Sequence, residues 1–275
     1  MNTPLHNALQ HAQHLGLARI DAQMLLLHSL GRDPHDRAWL LAHDGDALPA
    51  AALAAYQALC QRRAAGEPVA YLTGRKAFYG LPLAVDARVL DPRPDTETLV
   101  DWALELLAPC AAPRIADLGT GSGAIALALQ SQRPDARVLA VDASAGALAV
   151  AQANAARLHL PVQCLQGDWL QGLQGPFDAI VANPPYIPQA DPHLAALRHE
   201  PLAALARAPT AWRTCAPSSP RPRPAWRRAA GCCSSTAGTR PRPSAPCCRR
   251  PALPPCKHAK TSPASCVARA GNGQG

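Results

Sequence analysis

From Arg114 onward, short apolar strands alternate with helix-length segments, and this rhythm constrains the fold of the 275-residue chain more than any other feature. "RIADLG" (114–119) runs into "GAIALALQSQ", "RVLAVDAS" (137–144) into "AGALAVAQANAARLH", and "VQCLQGD" (162–168) into a short segment before "FDAIVANPPY" (177–186). Strands that are apolar throughout and joined by helices of 10–15 residues predict parallel βαβ units, hence a doubly wound α/β sheet with four such strands. Upstream, residues 1–74 carry apolar residues at three- and four-residue spacing, which predicts a small helical bundle. Lys76 to Val89 reads as a hairpin turning near Gly80 to Pro82, and Asp95 or Thr96 is placed to cap the helix that follows.

The rhythm stops near residue 205, and composition changes with it. The chain holds 27 basic and 19 acidic residues, but 13 of the basic and none of the acidic ones lie beyond residue 200. The first 200 residues are therefore mildly acidic and the remainder strongly basic. Cysteine divides the same way: three of the ten lie before residue 205 and seven between Cys215 and Cys266. No apolar run approaches the ~18 residues that span a bilayer. The first residues show no apolar signal-peptide core either, so a cytoplasmic chain without a membrane partner is expected. The acidic balance of the first 200 residues argues against a nucleic-acid groove, which needs clustered Lys and Arg.

Three motifs carry chemistry. "DLGTGSG", Asp117, Leu118, Gly119, Thr120, Gly121, Ser122 and Gly123, lies between a strand and a helix. Its glycines let the backbone turn tightly and approach a ligand ahead of the helix amides. Such turns also serve dinucleotides and plain packing. The Asp before the glycines and the G-x-G-x-G spacing favour S-adenosylmethionine over the G-x-G-x-x-G of dinucleotide binders. Asp142 ends the second strand, where a carboxylate accepts ribose hydroxyls; capping the next helix is its alternative role. Asp168 and Trp169, in "GDW", close the third strand, the Asp suited to an adenine amine and the Trp to its face, with ordinary core packing the alternative for Trp169.

The fourth strand ends on Asn183, Pro184, Pro185 and Tyr186. Proline removes a backbone donor and fixes φ, so the strand must stop there. A planar amide nitrogen is a poor nucleophile because its lone pair is delocalised. To attack a sulfonium methyl it must be held by acceptors that aim the lone pair at the carbon. The Asn183 side-chain oxygen and the Pro184 carbonyl are two such acceptors, and Tyr186 offers a flat face. Catalysis then rests on positioning and electrostatics, with no strong base needed before transfer.

On "PVAYLTGRKAFYGLPL", "PRPDTE", "DLGTGSGAIALAL", "AVDAS", "GDW", "NPPYIPQADPHL" and "EPLAAL", the chain resembles the HemK-like family of protein-glutamine methyltransferases over about residues 1–205. The resemblance implies a Rossmann-like class I methyltransferase sheet that uses S-adenosylmethionine, and a helical N-terminal domain that recognises peptide chain release factors. By position, Asp117, Gly119 to Gly123, Asp142, Asp168, Trp169 and Asn183 would bind the donor. Asn183, Pro184, Pro185 and Tyr186 would hold the glutamine of a Gly-Gly-Gln motif, with Asn183, Pro184 and Tyr186 as the catalytic set. The implied division is 1–74 substrate recognition, 75–110 hairpin and connecting helix, and 111–205 methyltransferase domain, in a chain expected to be monomeric. A sister enzyme acting on a ribosomal-protein glutamine, or an enzyme acting on a nucleic-acid amine, shares these motifs. Asp91 stands where the family usually has an apolar residue.

Residues 206–275 do not continue the family pattern. They lack any structural period, and their adjacent cysteine pairs (232/233 and 247/248) lack C-x₂-C zinc spacing, so no metal site is expected. A disordered basic RNA-binding tail is one reading. A shifted reading frame is the one favoured here: if "GCCSSTA" (231–237) is encoded by GC-rich codons, reading from the third nucleotide gives Leu-Leu-Leu-Glu-His-Gly, which resembles a late strand of this family. The same offset turns "PTAWRTC" (209–215) into a family-like helix. On that reading the later strands are missing, the edge of the fourth strand is left uncovered, and an inactive truncated product becomes the non-enzyme alternative.

Overall fold

A computed structural model of the chain describes residues 3–185, 187–188, 191–207 and 266–269. The N-terminal part holds a two-residue pair, β1 (Thr3–Pro4) with β2 (Ala47–Leu48), and helices α1 (Leu5–His14), α2 (Arg19–Ser29), α3 (Arg37–Ala42), α4 (Ala50–Ala64) and α5 (Val69–Thr73). Its core is built on Leu5, Leu25, Leu26, Leu27, Tyr56 and Cys60. Asp36 caps α3 by accepting from Trp39 N, and α5 stops at Gly74 in the left-handed conformation (φ 68°).

A hairpin of β3 (Arg75–Phe78) and β4 (Leu81–Ala84) follows, its turn at Tyr79 and Gly80. Its turn comes earlier than the sequence predicts, because Leu81 and Pro82 already pair with Phe78 and Ala77, and its second strand ends at Ala84 before reaching Val89. A 3₁₀ turn (Pro94–Thr96) leads into α6 (Glu97–Leu107). Thr96 is the N-cap residue, but its backbone is helical and its side chain makes no capping bond. Thr96 therefore gives no side-chain cap: Ncap side chains reach the first amides from an extended backbone, which Thr96 does not have.

The central sheet contains β5 (Arg114–Leu118), β6 (Arg137–Asp142), β7 (Gln163–Gln166) and β8 (Ala179–Ala182), all parallel, with α7 (Ala124–Gln132) and α8 (Ala145–Arg157) as crossovers. The four-strand α/β reading holds. Strand period two sorts the sheet cleanly. Ile115, Val138, Ala140, Ala179 and Val181 pack in one cluster with α6, α7 and α8; Ala116, Leu118, Val141 and Phe177 form a second cluster with Trp169, Leu170 and Leu173 against it. Among the described residues, then, the sheet helices cover one face and the 169–177 loop covers part of the other.

The edge of β8 is not uncovered as expected. A fifth strand, β11 (Cys266–Arg269), pairs with it antiparallel from Cys266↔Ala182 to Arg269↔Ala179, meeting the open hydrogen-bonding edge that a terminal strand presents. The remaining elements are β9 (Ile187–Pro188) paired with β10 (Ala206–Arg207), a 3₁₀ helix (Pro192–Leu197) and α9 (Leu202–Leu205). The frame-shift and tail readings fall almost wholly on residues outside those described. No described helix is long and apolar enough to cross a membrane.

Candidate active site

Strand register builds one rim. Leu118 pairs with Val141 on one side and Ala182 on the other, and Asp142 pairs with Gln166. One step on, Gly119, Asp142, Gln166 and Asn183 therefore stand side by side at the carboxyl ends of the parallel strands. Open α/β sheets place their ligands there.

The glycine turn divides its labour. A Cβ at Gly119 or Gly121 would meet nothing within 4 Å, although both have positive φ (71° and 56°). The backbone at these two residues thus borders open space that a bound molecule can fill. Gly123 (φ 83°) does something else: a Cβ there would sit 3.0 Å from Leu127 Cδ1 and 3.3 Å from Ala151 Cβ, so it sets the contact between α7 and α8. Thr120 and Ser122 are buried, their side chains turned into the protein. The turn is pinned from the neighbouring strand, with Gly119 N and Thr120 N donating to Val141 O at 2.8 and 3.0 Å.

Asp142 holds the loop from its other side. Its Oδ2 accepts from Gly121 N at 2.9 Å and its Oδ1 from Ser144 N at 2.9 Å. The cap of α8 is Ser144, whose hydroxyl accepts from Ala147 N. The capping role weighed for Asp142 is thus taken by the next polar residue, and the half-buried Asp142 carboxylate remains at the rim.

Asp117 lies under the loop rather than beside its opening. It is 0% exposed; Oδ2 accepts from Thr120 Oγ1 at 2.6 Å and Ala126 N at 3.2 Å, while Oδ1 is buried without a hydrogen-bond partner. Burial raises its pKa from an ordinary 3.8 to about 6, against the lowering effect of Thr120 and Ala126; the Asp142 charge adds to the rise. Because the folded pKa exceeds the unfolded one, this carboxyl's stabilising contribution is complete below about pH 4. It is lost as pH climbs through about 6, a change of about 3 kcal/mol at ~1.4 kcal/mol per pKa unit. Urea midpoints of the protein are expected to fall by this component between about pH 4 and 6, and Asp117→Asn to remove it. A variant with the parent's pH slope would contradict the assignment.

Asp168 is exposed, with Oδ2 accepting from Gln171 Nε2 at 2.9 Å. Trp169 has a left-handed backbone (φ 54°) and packs against the Leu118–Val141–Phe177 cluster. A non-glycine residue there costs about 1–2 kcal/mol, a strain that tends to collect at functional rims. Asn183 Nδ2 donates to Thr96 Oγ1 at 3.4 Å. Asn183 and Pro184 line a cavity of about 130 Å³, enclosed with Leu90, Arg93, Thr96, Leu197 and Leu205. This cavity lies on the "PRPDTE" side of the rim, and neither Gly119 nor Gly121 lines it. Pro185 is half-buried, and Tyr186 lies outside the described residues.

Two groups of residues escaped the sequence reading. Asn154, 0% exposed, donates to Ala84 O and Ser122 O and accepts from Ala84 N, joining the hairpin to the glycine turn. Arg93 and Glu200 form an ion pair at 2.5 Å, and Asp91, the residue that departs from the family pattern, pairs with Lys76 at 3.1 Å beside them. Their only signal in the sequence was membership of the "PRPDTE" and "EPLAAL" motifs. A larger cleft of about 440 Å³ runs between the N-terminal helices and this network, lined in part by Asp21, Arg63, Lys76 and His199.

Residues 6–74 match the family "PrmC N-terminal domain", and residues 96–203 match "Methyltransferase small domain". A release factor glutamine methyltransferase of Bordetella pertussis is 54% identical over 194 residues, which cover 69% of this chain and 71% of the relative. That of Xylella fastidiosa is 51% identical over 69% of each chain, and that of Escherichia coli 46% identical over 74% of each.

Proposed function

The chain belongs to the release factor glutamine methyltransferase family, and from that premise we propose that it methylates the side-chain amide nitrogen of the Gly-Gly-Gln glutamine in peptide chain release factors. The observation that carries this reading is the register Leu118↔Ala182, which sets the glycine turn and Asn183 side by side on one rim. S-adenosylmethionine, when bound, supplies an electrophilic methyl group on a sulfonium sulfur. The residues present fit it: the backbone at Gly119 and Gly121 borders open space, and a carboxylate stands at the end of the second strand. Gly119 and Gly121 cradle the donor, Asp142 accepts from its ribose, and Asp168 and Trp169 flank its base. Asp117 and the buried Thr120 and Ser122 act through the loop whose shape they hold.

Asn183 and Pro184 take the glutamine. The Asn183 side-chain oxygen and the Pro184 carbonyl accept from the substrate NH₂, so its lone pair is turned out of conjugation and toward the methyl carbon. Methyl transfer from a bound donor would leave the nitrogen with one proton to shed to solvent, so these two acceptors hold the amide without taking that proton themselves. No described group need act as a base beforehand, because the work is orientation in a fixed polar setting. Thr96 supports the arrangement by accepting from Asn183 Nδ2. Pro185 stiffens the turn, and Tyr186, outside the described residues, is assigned to the substrate by the NPPY motif alone. The cleft against the N-terminal helices is where the release factor approaches.

Incubation with radiolabelled donor and a release factor is the test. Label is expected in the factor and is lost when its Gly-Gly-Gln glutamine is changed to alanine; label in a ribosomal protein or in DNA instead would overturn the assignment. Asp142→Ala is expected to weaken donor binding ten- to a hundred-fold, the worth of a charged group's hydrogen bonds, by isothermal titration. An unchanged affinity would remove Asp142 from the donor site.

A further inference from the structure

The cavity beside Asn183 has two walls from different parts of the chain. Leu90, Arg93 and Thr96 form the inner one, and Leu197 and Leu205, from the segment that follows the Asn183 turn, form the outer one. Glu200 makes a polar link between the two, while its neighbours Arg198 and His199 bond Ala65 O past the end of α4 instead. Its side chain is 2% exposed, yet both carboxylate oxygens are used: Oε1 accepts from Arg93 at 2.5 Å and Oε2 from Asp91 N at 3.3 Å. Arg93 also reaches Asp91 at 3.5 Å, and Lys76 pairs with Asp91 at 3.1 Å, so two cations and two anions balance. A carboxylate at that depth is retained only where its partners are in place, and removing one partner strands the other. The inner partner is itself anchored, because Glu97, four residues on, accepts from Tyr79 N at 2.7 Å.

The geometry points to Glu200 as a positioning residue that, through Arg93, latches the segment of residues 191–205 closed as the outer wall of the glutamine pocket. Glu200 touches neither donor nor reacting atoms. Its effect falls on how well the pocket captures the glutamine, not on donor affinity. The latch rests on the glutamine-transfer reading only in its kinetic consequence; its structural consequence is independent.

Glu200→Gln and Arg93→Gln, singly and together, in the full chain test this. Each single variant is expected to raise KM for the release factor about tenfold, the worth of a charge-assisted bond, with donor Kd within about twofold. The double variant is expected to be no worse than either single one, because both remove the same link. Arg93→Lys, which keeps charge but not the fork, should fall between. Backbone hydrogen exchange at residues 197–205 is expected to accelerate in Glu200→Gln while α7 and α8 stay protected. Unchanged exchange at 197–205, effects of the two singles that multiply, or donor affinity falling in step with KM would each overturn the latch. A parent protein that binds donor but labels no release factor would count against the substrate assignment alone, since exchange still reads the latch. General loss of protection in α7 and α8 would show Glu200 to be a fold determinant and would also overturn it.

Discussion

Asn183→Ala is expected to lower methyl transfer about a hundred- to a thousand-fold, the usual loss when one preorganised polar group is removed from a reacting centre. Donor affinity should stay within about threefold. The split follows from the placement of each contact. The proposed donor cradle is backbone at Gly119 and Gly121, just past the end of β5, together with the Asp142 carboxylate at the end of β6. Asn183 lies past the end of β8, and its amide reaches Thr96 and the adjacent cavity. On the proposed reading, its removal deletes one of two acceptors that hold the substrate NH₂ and leaves the glycine turn intact. Single-turnover transfer and isothermal titration on the same preparation measure both halves. Transfer within tenfold of the parent would show that the amide does not orient the substrate.

The second large effect is on folding. Asn154→Ala is expected to destabilise the protein by about 4 kcal/mol, because Ala84 N, Ala84 O and Ser122 O each lose a buried partner at ~1–3 kcal/mol per group. For a folded unit of this size that corresponds to a fall in Tm of roughly 8–16 °C. Asn154 is fully buried, and its two amide ends face opposite demands: oxygen to Ala84 N at 2.7 Å, nitrogen to Ala84 O at 2.9 Å and Ser122 O at 3.0 Å. No other single side chain of that size satisfies all three. A melting shift under about 3 °C would mean that water or a neighbour replaces these bonds.

The parallel sheet was legible because its signals are local. An apolar strand, a glycine turn and a 10- to 15-residue helix can each be read in a short window, and their repetition leaves few topologies. The rim residues follow, since strand ends are where the chemistry of such a sheet collects: Asp142, Asp168 and Asn183 all stand there. What escaped is pairing over long separations. Glu200 reaches Arg93 across 107 positions and Asn154 reaches Ala84 across 70, and nothing near either residue in the chain announces its partner. Asp117 was read as facing a ligand, but period two on β5 turns it into the face covered by α7, where Ala126 N meets it. The cap of α8 was missed for a smaller reason: Asp142 and Ser144 are two residues apart, and backbone conformation decides between them. The strand at Cys266–Arg269 had no sequence signal at all, because an open sheet edge accepts main chain with little regard for side chains.

A structure of the protein with a Gly-Gly-Gln peptide and S-adenosylhomocysteine tests the central claim most directly. The account predicts the glutamine side-chain nitrogen within hydrogen-bond distance, about 3 Å, of both Asn183 Oδ1 and Pro184 O, with the cofactor sulfur lying over Gly119 and Gly121. A glutamine amide bound elsewhere, or an Asn183 side chain turned away from it with the peptide in place, would contradict it.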